Sequence, residues 1–112
     1  MSRPAPHSAN AKFNKPVDAL GYEIAQEMAS SLGRLGHTLE RSLQALAAFD
    51  STRQSTMSEQ TLELRRKLTS EAAHALWQFI VQREACGLRD SRQIMRDHRI
   101  PAEVRNRMGV FP

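Results

Sequence analysis

The feature that most constrains this chain is a file of apolar residues spaced three or four apart: Leu20, Ile24, Met28, Leu32, Leu35, Leu39, Leu43 and Leu46. That spacing follows the 3.6-residue period of an α-helix and puts all eight on one face. Asn14 and Pro16 stand ahead of it as a start signal, Asn as a cap and Pro within the first turn. The pattern therefore predicts one helix over about 16–49, roughly 50 Å long at 1.5 Å per residue. Beside the leucines runs a second file of small residues, Gly21, Ala25, Ala29, Gly33 and Gly36. A glycine inside a helix costs about 1 kcal/mol against alanine, so the file predicts close packing, with Gly21, Ala25, Ala29 and Gly33 as candidate interface residues. A bend at Gly33 and Gly36 is the other way to account for the glycines.

The polar stretch Asp50 to Ser55 reads as a turn, and Thr56 with Glu59 has the spacing of a capping box for a second helix. That helix is expected to end near Cys86, with Gly87 as a left-handed cap and Leu88 closing it. Its second half, Ala75 to Val81, is apolar at every position but Gln78, so Trp77, Phe79 and Ile80 are expected to be covered from more than one side. Asp90 caps a third, short helix, Ile100 and Pro101 break it, and a last helix runs through Val104 to Gly109. Few β-branched residues and only 5 glycines leave little material for strands and tight turns. The fold class expected is all-α: a long antiparallel hairpin with two short C-terminal helices. Centring the turn near 51–55 sets Leu43 against Leu64, Leu39 against Leu68, and Met28 and Ala29 against Phe79.

A length of 112 residues suits one domain, and 40% hydrophobic content is near the globular average. Residues 1–13 hold Pro4, Pro6, Ser2, Ser8 and Asn10 without periodicity and are expected to be a disordered arm, leaving 14–112 as a single helical domain. The lone cysteine, Cys86, forms no internal disulfide and reads as a small buried hydrophobe. No run of 18 apolar residues is present, and the first fifteen residues lack the apolar core of a secretory signal, so a cytoplasmic protein is expected.

The stretches ALGYEIAQEMASSLGRLG, ALWQFIVQREACGLRDSRQIM and IPAEVRNRMG resemble a family of small all-helical bacterial proteins known only as a domain of unknown function. The resemblance runs from about Asp18 to Gly109, and QREACGLRD is its most distinctive part. It implies a helical fold and a bacterial cytoplasmic setting, and carries over no catalytic residue.

No constellation for catalysis stands out. The histidines His7, His37, His74 and His98 lie in separate segments, and there is no phosphate-binding glycine loop. Glu71 and His74 have the Glu-x-x-His spacing of a helical di-metal site, but one copy supplies too few ligands. The expectation is thus no enzyme, no metal, no cofactor and no small-molecule ligand. The net charge of +4 is unevenly placed. Residues 16–50 carry five acids against two bases, and 88–112 carry six arginines against three acids. Arg89, Arg92, Arg96, Arg99, Arg105 and Arg107 are the candidate nucleic-acid contacts, and the helix, break and helix around them have the outline of a helix-turn-helix. Met95 and Arg99 stand where small residues would let such helices cross, and the interleaved acids argue for a solvated, salt-bridged face instead. The reading favoured is an assembly protein acting through self-association as a homodimer, two hairpins forming a four-helix bundle. The alternative is a nucleic-acid-associated protein.

Overall fold

A computed structural model describes residues 16–52 and 58–108. The proposed N-terminal arm, the Asn14 cap, the Thr56 capping position and Gly109, the expected end of the last helix, lie outside them. The described residues form four helices and no strand: α1 (Pro16–Thr52), α2 (Glu59–Ala85), α3 (Ser91–Asp97) and α4 (Ala102–Arg107). The chain is all-α. It divides into two compact units, residues 1–31 and 32–112.

In the first unit the described residues belong to α1, and nearly all are exposed; Asp18, Met28 and Ser31 are half-buried. Leu20, Tyr22 and Ile24 expose 57%, 55% and 52% of their surface.

The second unit holds the core. Leu39 and Leu46 of α1, Ala72, Ala73, Ala75, Leu76 and Phe79 of α2, Ile94 of α3 and Val104 of α4 are buried together. Leu32, Leu35, Leu43, Leu68, Ile80, Met95, Ile100 and Met108 pack around them. Three buried alanines, Ala72, Ala73 and Ala75, and a threonine, Thr69, give α2 a flat inner surface on which large side chains can sit. α4 packs on α2.

Two contacts fix which residues of α1 and α2 meet. A Cβ on Gly36 would lie 3.3 Å from Phe79 Cε1, and Arg65 binds Asp50. In both pairs the residue numbers sum to 115, as antiparallel partners must, and not to the expected 107 or so. Leu39 thus stands opposite Leu76, both with no exposed surface, and Leu32 stands opposite Arg83, two residues before α2 ends. The register is shifted because α1 runs on through Asp50, Ser51 and Thr52. Ser51 Oγ and Thr52 Oγ1 both donate to the carbonyl of Ala48, at 2.9 and 3.1 Å. Hydroxyls that back-bond within the last turn let polar residues remain helical where their composition suggests a turn.

The helix ends follow local chemistry. The cap of α2 is Ser58, whose Oγ accepts the Thr61 amide, two residues beyond the expected Thr56. Gly87 has φ +89°, and the Gly87 and Leu88 amides donate to the carbonyls of Glu84 and Arg83. This is the paired closure of a left-handed helix end. α3 ends the same way with Arg99 at φ +50°, the Arg99 and Ile100 amides donating to Arg96 and Met95. Asp90 caps α3 by accepting the Arg92 amide at 3.2 Å.

Candidate interaction surface

Polar side chains pin the core unit at two places. Arg65 on α2 donates from Nε and Nη2 to the carboxylate of Asp50 at the end of α1, at 2.7 and 2.9 Å. It also donates from Nη1 and Nη2 to Glu103 on α4, at 2.9 and 2.6 Å. A guanidinium gripped by two carboxylates through paired bonds is oriented as well as charged. The side-chain hydrogen bonds from Glu103 and Asp50 push its pKa further above an already high ordinary value, so it stays cationic. At the other end of the unit, His98 donates from Nδ1 to Glu40 Oε2 and presents its ring edge-on to Phe79, with centroids 5.7 Å apart. The Arg83 guanidinium lies 5.9 Å from the centre of the same Phe79 ring. Phe79 is therefore enclosed by Gly36, His98 and Arg83, three residues from three parts of the chain. Sequence spacing could not have shown this, since His98 and Glu40 lie 58 residues apart.

A groove of about 310 Å³ beside α4 is lined by Leu62, Arg65, Arg66, Thr69, Glu103 and Arg107. Its cations are occupied: Arg65 as above, Arg66 with Glu63 at 2.6 Å, and Arg107 donating from Nε to Ser70 Oγ at 2.6 Å. No group of three or more His, Cys, Asp or Glu side chains among the described residues could hold a metal ion. His74, weighed above with Glu71 as a ligand, instead stacks on Trp77 at 6.1 Å. Cys86 is half-buried, less enclosed than expected, with Gln82 Nε2 4.0 Å from its sulfur.

The arginines of the C-terminal segment divide. Arg89, Arg92, Arg96, Arg99 and Arg105 are exposed, Arg92 lies 3.6 Å from Asp90, and Arg107 is tied to Ser70. α3 and α4 have 7 and 6 residues, so each offers fewer than two full turns.

The residues singled out for packing also divide. Phe79 is in the core and Ile80 is packed against it. Trp77 is 43% exposed, as is Val81 one turn on, so the apolar run of α2 is buried on one side only. Gly21, Ala25, Ala29 and Gly33 are exposed, and a Cβ on Gly21 or Gly33 would meet nothing within 4 Å. Gly36, the last of the small file, makes the close approach.

The exposed large apolar side chains include Leu20, Tyr22 and Ile24 in the first unit and Leu64, Trp77, Val81 and Leu88 in the second. The chain belongs to a family of unknown function, DUF6665, whose model matches residues 9–112. No curated protein and no solved structure matches it. No helix of the described residues is long and apolar enough to cross a membrane.

Proposed function

We propose that this protein is a helical assembly module that works by self-association rather than by catalysis, as a homodimer in the bacterial cytoplasm. The observation that carries this reading is the fate of a single apolar file along α1. Leu39 and Leu46 are fully or almost fully buried in the core unit, whereas Leu20 and Ile24, earlier in the same sequence file, are more than half exposed. Large apolar side chains exposed side by side form a surface that soluble proteins ordinarily bury against a partner. Two antiparallel α1–α2 hairpins that share this surface would complete a four-helix bundle under two-fold symmetry. Light scattering of the purified chain at tens of micromolar tests it: twice the chain mass, insensitive to moderate salt, is expected. A monomer under those conditions would refute self-association.

The alternative, a nucleic-acid-associated protein, has its support in the five exposed arginines from Arg89 to Arg105. Affinity carried by such side chains falls steeply with salt, because counterions are released from the phosphates. Salt-sensitive binding of duplex DNA by a monomeric chain, lost in Arg92→Ala/Arg96→Ala, would favour it over self-association.

A further inference from the structure

We infer that a groove between α2 and α4 binds a small phosphate monoester, with Arg107 and Lys67 holding the phosphate. The groove has a volume of about 530 Å³, a usual size for a small-molecule site. Glu63, Leu64, Arg66, Lys67 and Ser70 wall it on the α2 side and Arg107 on the α4 side. It lies within the core unit of one chain, so it stands or falls independently of self-association.

Charge in this groove is mismatched. Arg66 is answered by Glu63, with Nη1 2.6 Å from its carboxylate. Arg65, close by on α2, is answered by Asp50 and Glu103. Arg107 is half-buried, yet its Nε donates to a neutral partner, Ser70 Oγ, at 2.6 Å, and among the described residues no carboxylate pairs with its guanidinium. Lys67 stands one turn from both Glu63 and Glu71 on α2 and pairs with neither. Two cations of the same groove are thus left without a counter-charge. A charge drawn partly out of water is unfavourable until an opposite charge meets it, and an anion in the groove would meet both.

The donors suit phosphate. The bond to Ser70 orients Arg107 through Nε without neutralising it, and leaves both terminal nitrogens for the two-pronged grip that arginine makes on phosphate. Ser70 Oγ accepts that bond and keeps its own hydrogen to donate. Lys67 and Ser70 are three residues apart on α2 and so are neighbours on its surface. A phosphate monoester carries about −1.5 to −2 charges at pH 7, which matches the two unanswered cations. A carboxylate, or one phosphate of a nucleic-acid backbone, carries a single charge and would leave a cation over. Leu64, 46% exposed in the wall of the groove, gives an apolar group esterified to the phosphate a surface to lie on.

Phenyl phosphate is the probe, titrated into the full chain and followed by amide proton–nitrogen correlation spectra. Saturable shifts of the Lys67, Ser70 and Arg107 amides are expected at millimolar probe. Lys67→Gln and Arg107→Gln should each weaken binding about 10-fold or more, the effect of losing one charged hydrogen bond. Arg92→Gln, which removes an exposed arginine of α3, should leave binding unchanged. Far-UV circular dichroism checks that each variant is folded, and Lys67, being exposed, can be replaced without disturbing the core. Absence of saturable shifts, or undiminished binding by folded Lys67→Gln, overturns the site. Benzoate or inorganic phosphate binding as tightly as phenyl phosphate overturns the assignment to a monoester. A single-stranded oligonucleotide without a terminal phosphate, binding the groove more tightly than phenyl phosphate and weakening steeply with salt, would overturn it in favour of a nucleic-acid backbone.

Discussion

Asp50 and Arg65 meet as a fork, carboxylate oxygens 2.7 and 2.9 Å from Nε and Nη2, and Glu103 takes the other side of the same guanidinium. Charged hydrogen bonds contribute more than neutral ones, but these groups are partly solvated and screening reduces their worth. Arg65→Ala is expected to destabilise the protein by about 1–2 kcal/mol in urea melts. Arg66→Ala, whose pair with Glu63 is exposed, should change stability by less than about 0.5 kcal/mol. Equal losses for the two would show that the three-helix clamp contributes nothing beyond a surface ion pair.

Gly33 and Gly36 occupy one helix, one turn apart, and should respond oppositely. A Cβ at Gly33 meets open space, so Gly33→Ala is expected to raise stability by about 0.5–1 kcal/mol through helix propensity alone. At Gly36 the Phe79 ring is already at 3.3 Å, and Gly36→Leu should cost more than about 2 kcal/mol by overpacking. Thermal melts of both variants give the comparison.

Gly87 and Arg99 hold the same left-handed position at the ends of α2 and α3. Gly87→Ala should cost about 1 kcal/mol, since a Cβ is strained there. Arg99→Gly should instead be neutral to stabilising, by up to about 1 kcal/mol, the relief of strain being offset in part by the freedom glycine gains in the unfolded chain. Chemical denaturation reads both signs, and a destabilising Arg99→Gly would mean that the arginine side chain contributes more than its backbone strain costs.

Leu76 and Trp77 are neighbours in sequence, about 100° apart around α2, and their burial differs. Leu76 has no exposed surface, and Leu76→Ala should cost about 2–5 kcal/mol. Trp77→Ala is expected to cost under about 1.5 kcal/mol at a concentration where the chain is monomeric, because the indole is nearly half in water. A larger loss at high than at low protein concentration would locate the remainder of its contribution in the dimer.

Helix chemistry was legible where it is local. The apolar period marked α1, Asp90 marked the start of α3, and Gly87 marked the end of α2, because each acts through atoms a few residues away. The register was not legible, since it depends on where α1 stops, and the hydroxyls of Ser51 and Thr52 keep it helical through residues that read as a turn. Which side of α2 holds Trp77 was not legible for a related reason: seven nearly continuous apolar residues do not say which side of a helix faces inward. Ala72, Ala73 and Ala75 settle the side, and alanine carries little weight in an apolar count. The His98–Glu40 contact and the enclosure of Phe79 were beyond reach, since they join residues brought together only by the packing of α3.

A long file of leucines is forgiving: sliding α2 along α1 by one turn, about 5.4 Å, would still put leucine against an apolar surface. The clamp at Arg65 is not forgiving. A slip of one turn would draw the guanidinium away from Asp50, and with the C-terminal helices carried along on α2 it would draw His98 away from Glu40. Two polar locks, one at each end of the shared core, therefore favour one alignment and turn a sliding contact between two greasy rods into a registered one.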